Sequence, residues 1–192
     1  MARKPVSKSN RSSAKPHAFG VASSKVVPIG QAGRQSLRII AGQWRGRKIP
    51  FATVSGLRPT QDRVRETLFN WVADGISGAR CLDLYAGTGA LGLEALSRGA
   101  KQVDFVELSN VASSALNDNL KKLPIEQDQI AKVEQMSSFD WLRRYKNNSQ
   151  AIGQAKPYNL VLLDPPFALA LMQDTLTALF EAQCLAPKAL IY

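Results

Sequence analysis

Residues 82–92 read Leu-Asp-Leu-Tyr-Ala-Gly-Thr-Gly-Ala-Leu-Gly and decide the fold class of the chain. An apolar start is typical of a buried strand, and Gly87, Gly89 and Gly92 make a G-x-G-x-x-G pattern between that strand and a helix. Missing side chains there let backbone N–H groups approach a ligand. Glu107 ends the next predicted strand 20 positions after Gly87, where a carboxylate can accept hydrogen bonds from ribose hydroxyls. The pattern predicts a nucleotide-like cofactor but does not separate a dinucleotide from S-adenosylmethionine.

Strand and helix patterns alternate from this stretch to the end of the sequence. The predicted strands are Cys81–Tyr85, Gln102–Leu108, Lys132–Met136, Tyr158–Leu163 and Ala189–Tyr192. The predicted helices are Ala90–Ser97, Asn110–Leu123, Phe139–Tyr145 and Leu169–Ala182. Such alternation implies right-handed crossovers and a doubly wound, Rossmann-like parallel sheet in an α/β fold. Some sheets of this class continue into a C-terminal antiparallel hairpin, so we expect the sequence to be a fragment.

The carboxylate of Asp83, four positions before Gly87, makes the cofactor prediction more specific. It can brace the glycine turn and attract the ammonium group of a methionine moiety, whereas it would repel a pyrophosphate. We therefore predict S-adenosylmethionine, held by Asp83, Glu107 and the backbone of Ala86, Gly87 and Gly89. The alternative for Asp83 is loop bracing without ligand contact.

The end of the third predicted strand is the candidate adenine site. Methyltransferases often have an acid at the position of Ser137, so this sequence departs from that pattern. The Ser138 backbone, stacking by Phe139, or Asp140 could contact the adenine instead. The alternative is a helix N-cap followed by a core phenylalanine.

Residues 164–167 read Asp-Pro-Pro-Phe and follow the fourth predicted strand. A nucleobase amine is a poor nucleophile because its lone pair is delocalised into the ring, so an enzyme must orient it. Asp164 and the Pro165 carbonyl can each accept one N–H bond. Pro165 and Pro166 stiffen the loop because they have fixed φ and no N–H, and Phe167 can stack on an extruded base. We predict that these four residues are catalytic for methyl transfer to an amine, the alternative being a strand terminator with an N-capping aspartate.

The positive charge of the chain is confined to its N-terminal third. The formal net charge is +10, from 25 Lys and Arg against 15 Asp and Glu in 192 residues. Residues 1–61 hold twelve of the basic residues and no acidic one. A polyanion is therefore the expected partner. Residues 1–36 contain few large apolar groups, which predicts a disordered basic tail; a merely solubilising role for it is an equal alternative.

A basic extension over residues 37–75 separates this tail from the glycine loop. Leu37–Ile40 and Arg47–Phe51 are typical of two short strands around a glycine-containing turn. A helix follows, with Thr60 as its predicted N-cap and Asp62 in its first turn, where the helix dipole favours an anion. Its predicted buried face consists of Val64, Leu68, Trp71 and Val72.

Three blocks of the sequence resemble the RsmD family. They are residues 38–48 (Arg-Ile-Ile-Ala-Gly-Gln-Trp-Arg-Gly-Arg-Lys), residues 58–71 (Arg-Pro-Thr-Gln-Asp-Arg-Val-Arg-Glu-Thr-Leu-Phe-Asn-Trp) and residues 82–98. RsmD enzymes are bacterial methyltransferases that modify the exocyclic N2 of one guanine in 16S ribosomal RNA. The resemblance extends over residues 37–192 and implies a class I methyltransferase domain over residues 76–192. It also implies ribosomal RNA, free or in an assembling small subunit, as the partner of a monomeric enzyme.

The resemblance assigns residues as well as an activity. It implies cofactor contacts and catalysis at the positions already named. It implies RNA contacts at Arg38, Arg45, Arg47, Lys48, Arg58, Arg63 and Arg65. Guanidinium groups pair bidentately with phosphates, and Trp44 or Phe51 could stack on an unpaired base. Trp44 and Phe51 could equally belong to the hairpin core, while Arg63 and Arg65 could be surface charges or brace the cofactor loop.

The cysteines and the single histidine argue against several other kinds of functional site. Cys81 and Cys184 give neither a disulfide framework nor metal-ligand spacing and fit a reducing cytoplasm. The only histidine, His17, lies in the tail, which argues against a Ser-His triad or a zinc site, and we expect no metal cofactor. No apolar run approaches the roughly 18 residues of a membrane span.

Three other functions stay open at this point. An N-methyltransferase for DNA adenine or a protein glutamine is disfavoured because Asp, rather than Asn, precedes Pro-Pro. An NAD-dependent oxidoreductase is disfavoured by the Asp-Pro-Pro-Phe segment and by the lack of a catalytic His or Tyr-x-x-x-Lys pattern. A non-catalytic RNA-binding module remains because the sequence ends early in the expected fold.

Overall fold

The structure is a computed structural model that describes residues 35–52, 59–152, 156–166 and 170–192. All but the last two residues of the predicted tail lie outside these ranges. So do the predicted RNA contact at Arg58 and the predicted stacking residue Phe167.

A two-stranded antiparallel hairpin opens the described chain, and strands alternate with helices after it. The hairpin strands are β1 (Ser36–Arg38) and β2 (Lys48–Pro50). The sheet strands are β3 (Arg80–Asp83), β4 (Gln102–Glu107), β5 (Ile130–Gln135), β6 (Tyr158–Leu162) and β7 (Leu185–Ile191). The helices are α1 (Asp62–Trp71), α2 (Ala73–Ile76), α3 (Ala90–Ser97), α4 (Asn110–Leu120), α5 (Ser138–Ile152) and α6 (Met172–Ala182). The predicted hairpin and the alternation are confirmed, although α5 is longer than its predicted range.

The five sheet strands are parallel and stand in the order β5-β4-β3-β6-β7. The chain moves outward from β3 through β4 to β5 and then returns to β6 on the other side of β3. This reversal confirms the doubly wound α/β fold and creates a switch point between β3 and β6. Ligands bind such sheets in the crevice at the carboxyl ends of the strands beside the switch point.

Each face of the sheet carries its own apolar core, because successive side chains of a strand point to opposite faces. Cys81 of β3 belongs to the core that includes the hairpin, α1, α3 and α4, whereas Leu82 belongs to the core that includes α5 and α6. Both residues are fully buried. Helices covering both faces explain the nearly continuous apolar composition of the central strand.

The hairpin packs firmly against α3. Gln43 N–H donates to the Ser97 carbonyl at 2.7 Å, and Trp44 N–H donates to Ser97 Oγ at 3.0 Å. A Cβ on Gly42 would lie 1.8 Å from the Ser97 carbonyl oxygen, so only glycine fits this contact. Trp44 is buried and therefore part of the core, which excludes it from stacking on RNA.

The predicted buried face of α1 is wrong in two positions. Trp71 is 78% exposed and Val64 is 39% exposed. The buried residues of the helix are Arg65, Leu68 and Phe69. The helix is turned towards Arg65 because that side chain has polar partners in the interior, described below. Gln61, rather than Thr60, precedes the first turn, and no side chain caps it.

Candidate functional site

Three carboxylates meet at the carboxyl ends of the central strands. Asp83 ends β3, Glu107 ends β4, and Asp164 lies two residues beyond the end of β6. These strands are parallel neighbours, so their ends meet at the crevice beside the switch point. The structure therefore brings together an acid from each of three segments that the sequence separates widely.

Asp83 is the most perturbed of these acids. Burial raises its pKa from 3.8 to about 7, and the negative charges of Asp164 and Glu107 add to the effect, while a hydrogen bond from Gly92 opposes it. The Gly92 N–H donates to Oδ2 at 3.1 Å. The other oxygen, Oδ1, is buried and has no hydrogen-bond partner. One oxygen thus braces the loop, and a ligand contact at the second stays a prediction.

The glycine turn between β3 and α3 needs its glycines. Gly87 and Gly89 have φ of 54° and 78°, in the left-handed region that favours glycine. A Cβ on Gly89 would lie 2.5 Å from Leu116 Cδ1. The Gly89 N–H donates to the Ala86 carbonyl at 2.6 Å, which closes the turn in front of α3.

Glu107 holds the same turn from the neighbouring strand. Its Oε2 accepts the Gly87 N–H at 2.7 Å, and its Oε1 accepts the Ser109 N–H at 2.6 Å. Each carboxylate oxygen can accept a further bond. Glu107 therefore has a bracing role that the sequence did not suggest, and a contact with ribose hydroxyls stays a prediction.

The start of α5 lies beside the end of β3. Ser138 is buried, and its hydroxyl donates to the Leu84 carbonyl at 2.6 Å. Ser137 Oγ accepts the Asp140 N–H at 3.1 Å, as an N-capping side chain does. Phe139 is 36% exposed and is not the core residue that the alternative interpretation required. Its stacking on adenine stays a prediction.

Asp164 has one strong partner that sequence reasoning missed. The Thr60 hydroxyl donates to Asp164 Oδ2 at 2.7 Å, although the two residues are 104 positions apart. Asp164 is half-buried, Pro165 is buried and Pro166 is exposed. The only local signal at Thr60 was a helix start, and that signal favoured the N-cap interpretation.

Arg65 is fully buried, which contradicts the expectation that it contacts RNA. Its Nε donates to the Thr60 carbonyl at 3.2 Å, and its Nη2 donates to the Arg38 carbonyl at 2.8 Å. Its Nη2 also pairs with Asp62 at 2.6 Å, and its Nη1 lies 3.5 Å from Glu94. With the guanidinium group surrounded by protein partners, the role of this residue is structural.

Glu94 of α3 is the buried anion opposite Arg65. Its two oxygens accept the N–H groups of Ile40 and Ala41, each at 2.9 Å. The side chain also accepts a bond from Arg98 Nε at 2.8 Å. A buried charge with this many partners is well compensated. The pair joins the hairpin and α1 to the helix that begins at the glycine turn.

The other predicted RNA contacts within the described ranges lie on the protein surface. Arg38, Arg45, Arg47, Lys48 and Arg63 are all exposed. Arg38 and Arg45 line a cavity of about 320 Å³ between the hairpin and α1. The side chains of Arg98, Glu66 and Asn70 complete its polar lining. Glu66 and Asn70 of this lining lie on α1, the helix that follows Thr60.

The described ranges contain few other candidates for a functional site. No group of three or more His, Cys, Asp or Glu side chains is arranged there to hold a metal ion. Cys81 and Cys184 are buried free thiols, and burial raises the pKa of Cys81 to about 12. None of the described helices combines the length and apolarity that crossing a membrane requires.

Comparisons with known proteins agree on the family and the fold. The model of the family described as conserved hypothetical protein 95 matches residues 37–192. Ribosomal RNA small subunit methyltransferase D of Haemophilus influenzae is 46% identical over 156 residues, which cover 81% of this chain and 77% of that protein. The protein of the same name from Escherichia coli K12 is 44% identical over 161 residues, covering 84% and 75%. The solved structure of Escherichia coli yhhF is 42% identical, with a TM-score of 0.68, over 82% of this chain and 79% of that one.

Proposed function

Because the chain belongs to the family described as conserved hypothetical protein 95, the RsmD family, we propose that it methylates the exocyclic N2 of a guanine in small-subunit (16S) ribosomal RNA, with S-adenosylmethionine as the donor. The observation that carries the proposal is the meeting of Asp83, Glu107 and Asp164 at the switch point of the sheet. The protein acts in the cytoplasm as a monomer on RNA or on an assembling small subunit.

The chemistry of the site fits a cationic cofactor. Asp83 has a buried oxygen without a partner, and the charges of two further carboxylates reach it. An ammonium group would satisfy that oxygen, whereas the pyrophosphate of NAD would meet three negative charges. Asp83 would hold the methionine end of the cofactor. The ribose side would be held by the Glu107 carboxylate and by the backbone of Ala86, Gly87 and Gly89. Ser138 and Phe139 would hold the adenine. When bound, S-adenosylmethionine supplies a methyl group on a good leaving group.

The Asp-Pro-Pro segment supplies the groups that orient the accepting amine. Asp164 Oδ2 accepts the Thr60 hydroxyl, and Oδ1, which has no hydrogen-bond partner among the described residues, can accept an amine N–H. The Pro165 carbonyl can accept the second N–H, and the fixed φ of Pro165 and Pro166 restricts the backbone that carries it. Holding both hydrogens turns the nitrogen lone pair out of conjugation and towards the methyl group, and orientation of this kind provides most of the acceleration. Phe167 is proposed to stack on the base.

The exposed basic residues of the extension are the proposed RNA contacts. Arg38, Arg45, Arg47, Lys48 and Arg63 can pair with phosphates, and so can Arg58, which lies outside the described residues. The hairpin is fixed to α3 by backbone contacts, so its basic residues have a defined position relative to the cofactor loop. Arg65 is no longer among them because its charge is buried.

The test is methylation of small subunits isolated from a strain that lacks this modification, with mass mapping of the product. Wild-type protein should add one methyl group to one guanine, and Asp164→Ala should bind S-adenosylmethionine but transfer no methyl group. Methylation of an adenine, or of DNA or protein in preference to subunits, would favour another N-methyltransferase. Wild-type turnover by Asp164→Ala would remove that residue from the mechanism. A wild-type protein that neither binds S-adenosylmethionine nor transfers a methyl group would favour a non-catalytic RNA-binding role.

A further inference from the structure

Thr60 stands directly beside the proposed catalytic carboxylate. Its hydroxyl donates to Asp164 Oδ2 at 2.7 Å, within the normal range for an O–H···O bond. Both residues are only partly buried, so the contact lies outside the core. Pro59 precedes Thr60 and restricts the backbone that presents the hydroxyl.

The backbone of Thr60 is itself held by the interior of the protein. The fully buried Arg65 donates from Nε to the Thr60 carbonyl at 3.2 Å. The same guanidinium group contacts Glu94 of α3, whose carboxylate accepts two N–H groups of the hairpin. A continuous set of polar contacts therefore runs from the helix after the glycine turn to the hydroxyl that touches Asp164.

We infer that Thr60 is a positioning residue for methyl transfer, fixing the plane of the Asp164 carboxylate so that Oδ1 faces the accepting amine. This inference rests on the proposed function, because it requires Asp164 to orient the amine. A carboxylate whose second oxygen is unheld can rotate about its Cβ–Cγ bond, and its productive orientation is then one of several. A hydroxyl donor on Oδ2 selects one orientation without occupying the oxygen that receives the substrate.

The expected effects separate positioning from a general structural role. Thr60→Val keeps the branched shape and removes the donor, so the single-turnover rate of methylation should fall about tenfold, near the lower end for a hydrogen bond to a charged group. Affinity for S-adenosylmethionine should change less than about twofold. Thr60→Ser restores the donor and should keep the rate within about threefold of wild type. In an Asp164→Asn background the same valine substitution should lower the rate by less than about threefold, because the charged acceptor is gone.

The experiment measures single-turnover methylation of unmodified small subunits at saturating S-adenosylmethionine, with cofactor affinity by calorimetry and melting temperature for every variant. Thr67→Val is the matched control, because Thr67 is exposed on α1 and donates only to the Arg63 carbonyl. A wild-type rate in Thr60→Val, or equal losses in Thr60→Ser and Thr60→Val, overturns the inference. An undiminished valine effect in the Asp164→Asn background, or a loss of cofactor affinity as large as the loss of rate, overturns it too.

The same assay keeps this inference separate from the proposed function. An active Asp164→Ala variant, or a wild-type protein that methylates no subunit, overturns the proposed function and the role of Thr60 with it. An inactive Asp164→Ala variant beside a fully active Thr60→Val variant overturns the role of Thr60 alone.

Discussion

Replacing Asp83 by asparagine should stabilise the cofactor-free protein at pH 8 and weaken its binding of S-adenosylmethionine. The carboxyl of Asp83 is completely buried, and its pKa rises from 3.8 to about 7. At about 1.36 kcal/mol for each pKa unit, the ionised carboxylate costs about 4 kcal/mol in the empty site. The asparagine can accept the Gly92 N–H but leaves a buried amide N–H unpaired, at about 1–3 kcal/mol. The expected net gain is therefore about 1–3 kcal/mol.

The pH dependence follows from the direction of this shift. Above pH 4 the unfolded Asp83 loses its proton, whereas the folded Asp83 keeps its proton until about pH 7. The folded state binds more protons within that window, so its stability falls as the pH rises from about 4 to 7 and then levels off. Asparagine has no such dependence. Most of its advantage over the wild type should therefore disappear at pH 5.

Urea unfolding of the cofactor-free protein at pH 5 and pH 8 measures these free energies, and calorimetry measures cofactor affinity. Affinity should fall at least tenfold in the variant, because an ammonium group loses a charged partner. Asp118→Asn is the control, since Asp118 is exposed and pairs only with Lys121 at the surface; we expect it to change stability by less than about 0.5 kcal/mol. Two results would refute the reasoning. One is an Asp83→Asn variant that is less stable than wild type at pH 8, and the other is a stability advantage over wild type that is the same at pH 5 and pH 8.

Two further predictions concern the other half of the cofactor site and the RNA surface. Glu107→Ala should weaken S-adenosylmethionine binding, measured by calorimetry, by about 1.5–3 kcal/mol. Glu107→Gln should lose less binding free energy because a hydrogen-bond acceptor remains. Unchanged affinity in the alanine variant would remove the ribose assignment. Neutralising Arg45, Arg47 and Lys48 together should reduce the slope of log affinity for RNA against log salt by about two to three units, at roughly 0.7–0.9 per phosphate contact. An unchanged slope would place the RNA surface elsewhere.

The sequence was informative wherever a short pattern has one structural meaning. The glycine turn, the acid at the end of the following strand and the alternation of strands and helices predicted the parallel sheet and placed Asp83 and Glu107 at one edge of it. Asp164 followed from the same logic, because the segment after β6 reaches the same edge. Each of these predictions depends on local spacing and on the geometry of parallel strands, which sequence contains.

Long-range partners account for the errors. The family resemblance implied an RNA contact at Arg65, and hydrophobic periodicity predicted a buried Trp71. The partners of the buried Arg65 include Glu94, which lies 29 positions away. Thr60 looked like an N-cap because its neighbours favour a helix start, whereas its partner is 104 positions away. No spacing rule connects such pairs, since each contact exists only after the hairpin and α1 have packed on α3.

The buried Arg65–Glu94 pair matters more for geometry than for stability. An ion pair in the interior gains little over apolar residues of similar volume, because removing both charges from water is costly. This pair instead holds two hairpin N–H groups on one side and the Thr60 carbonyl on the other. A methionine or leucine could fill the volume of Arg65 but could not hold that carbonyl. The proposed RNA surface, the helix behind the glycine turn and the Thr60 hydroxyl are thereby fixed to one another. Under the proposed function, a guanine on RNA held by the hairpin would meet an Asp164 carboxylate already in position.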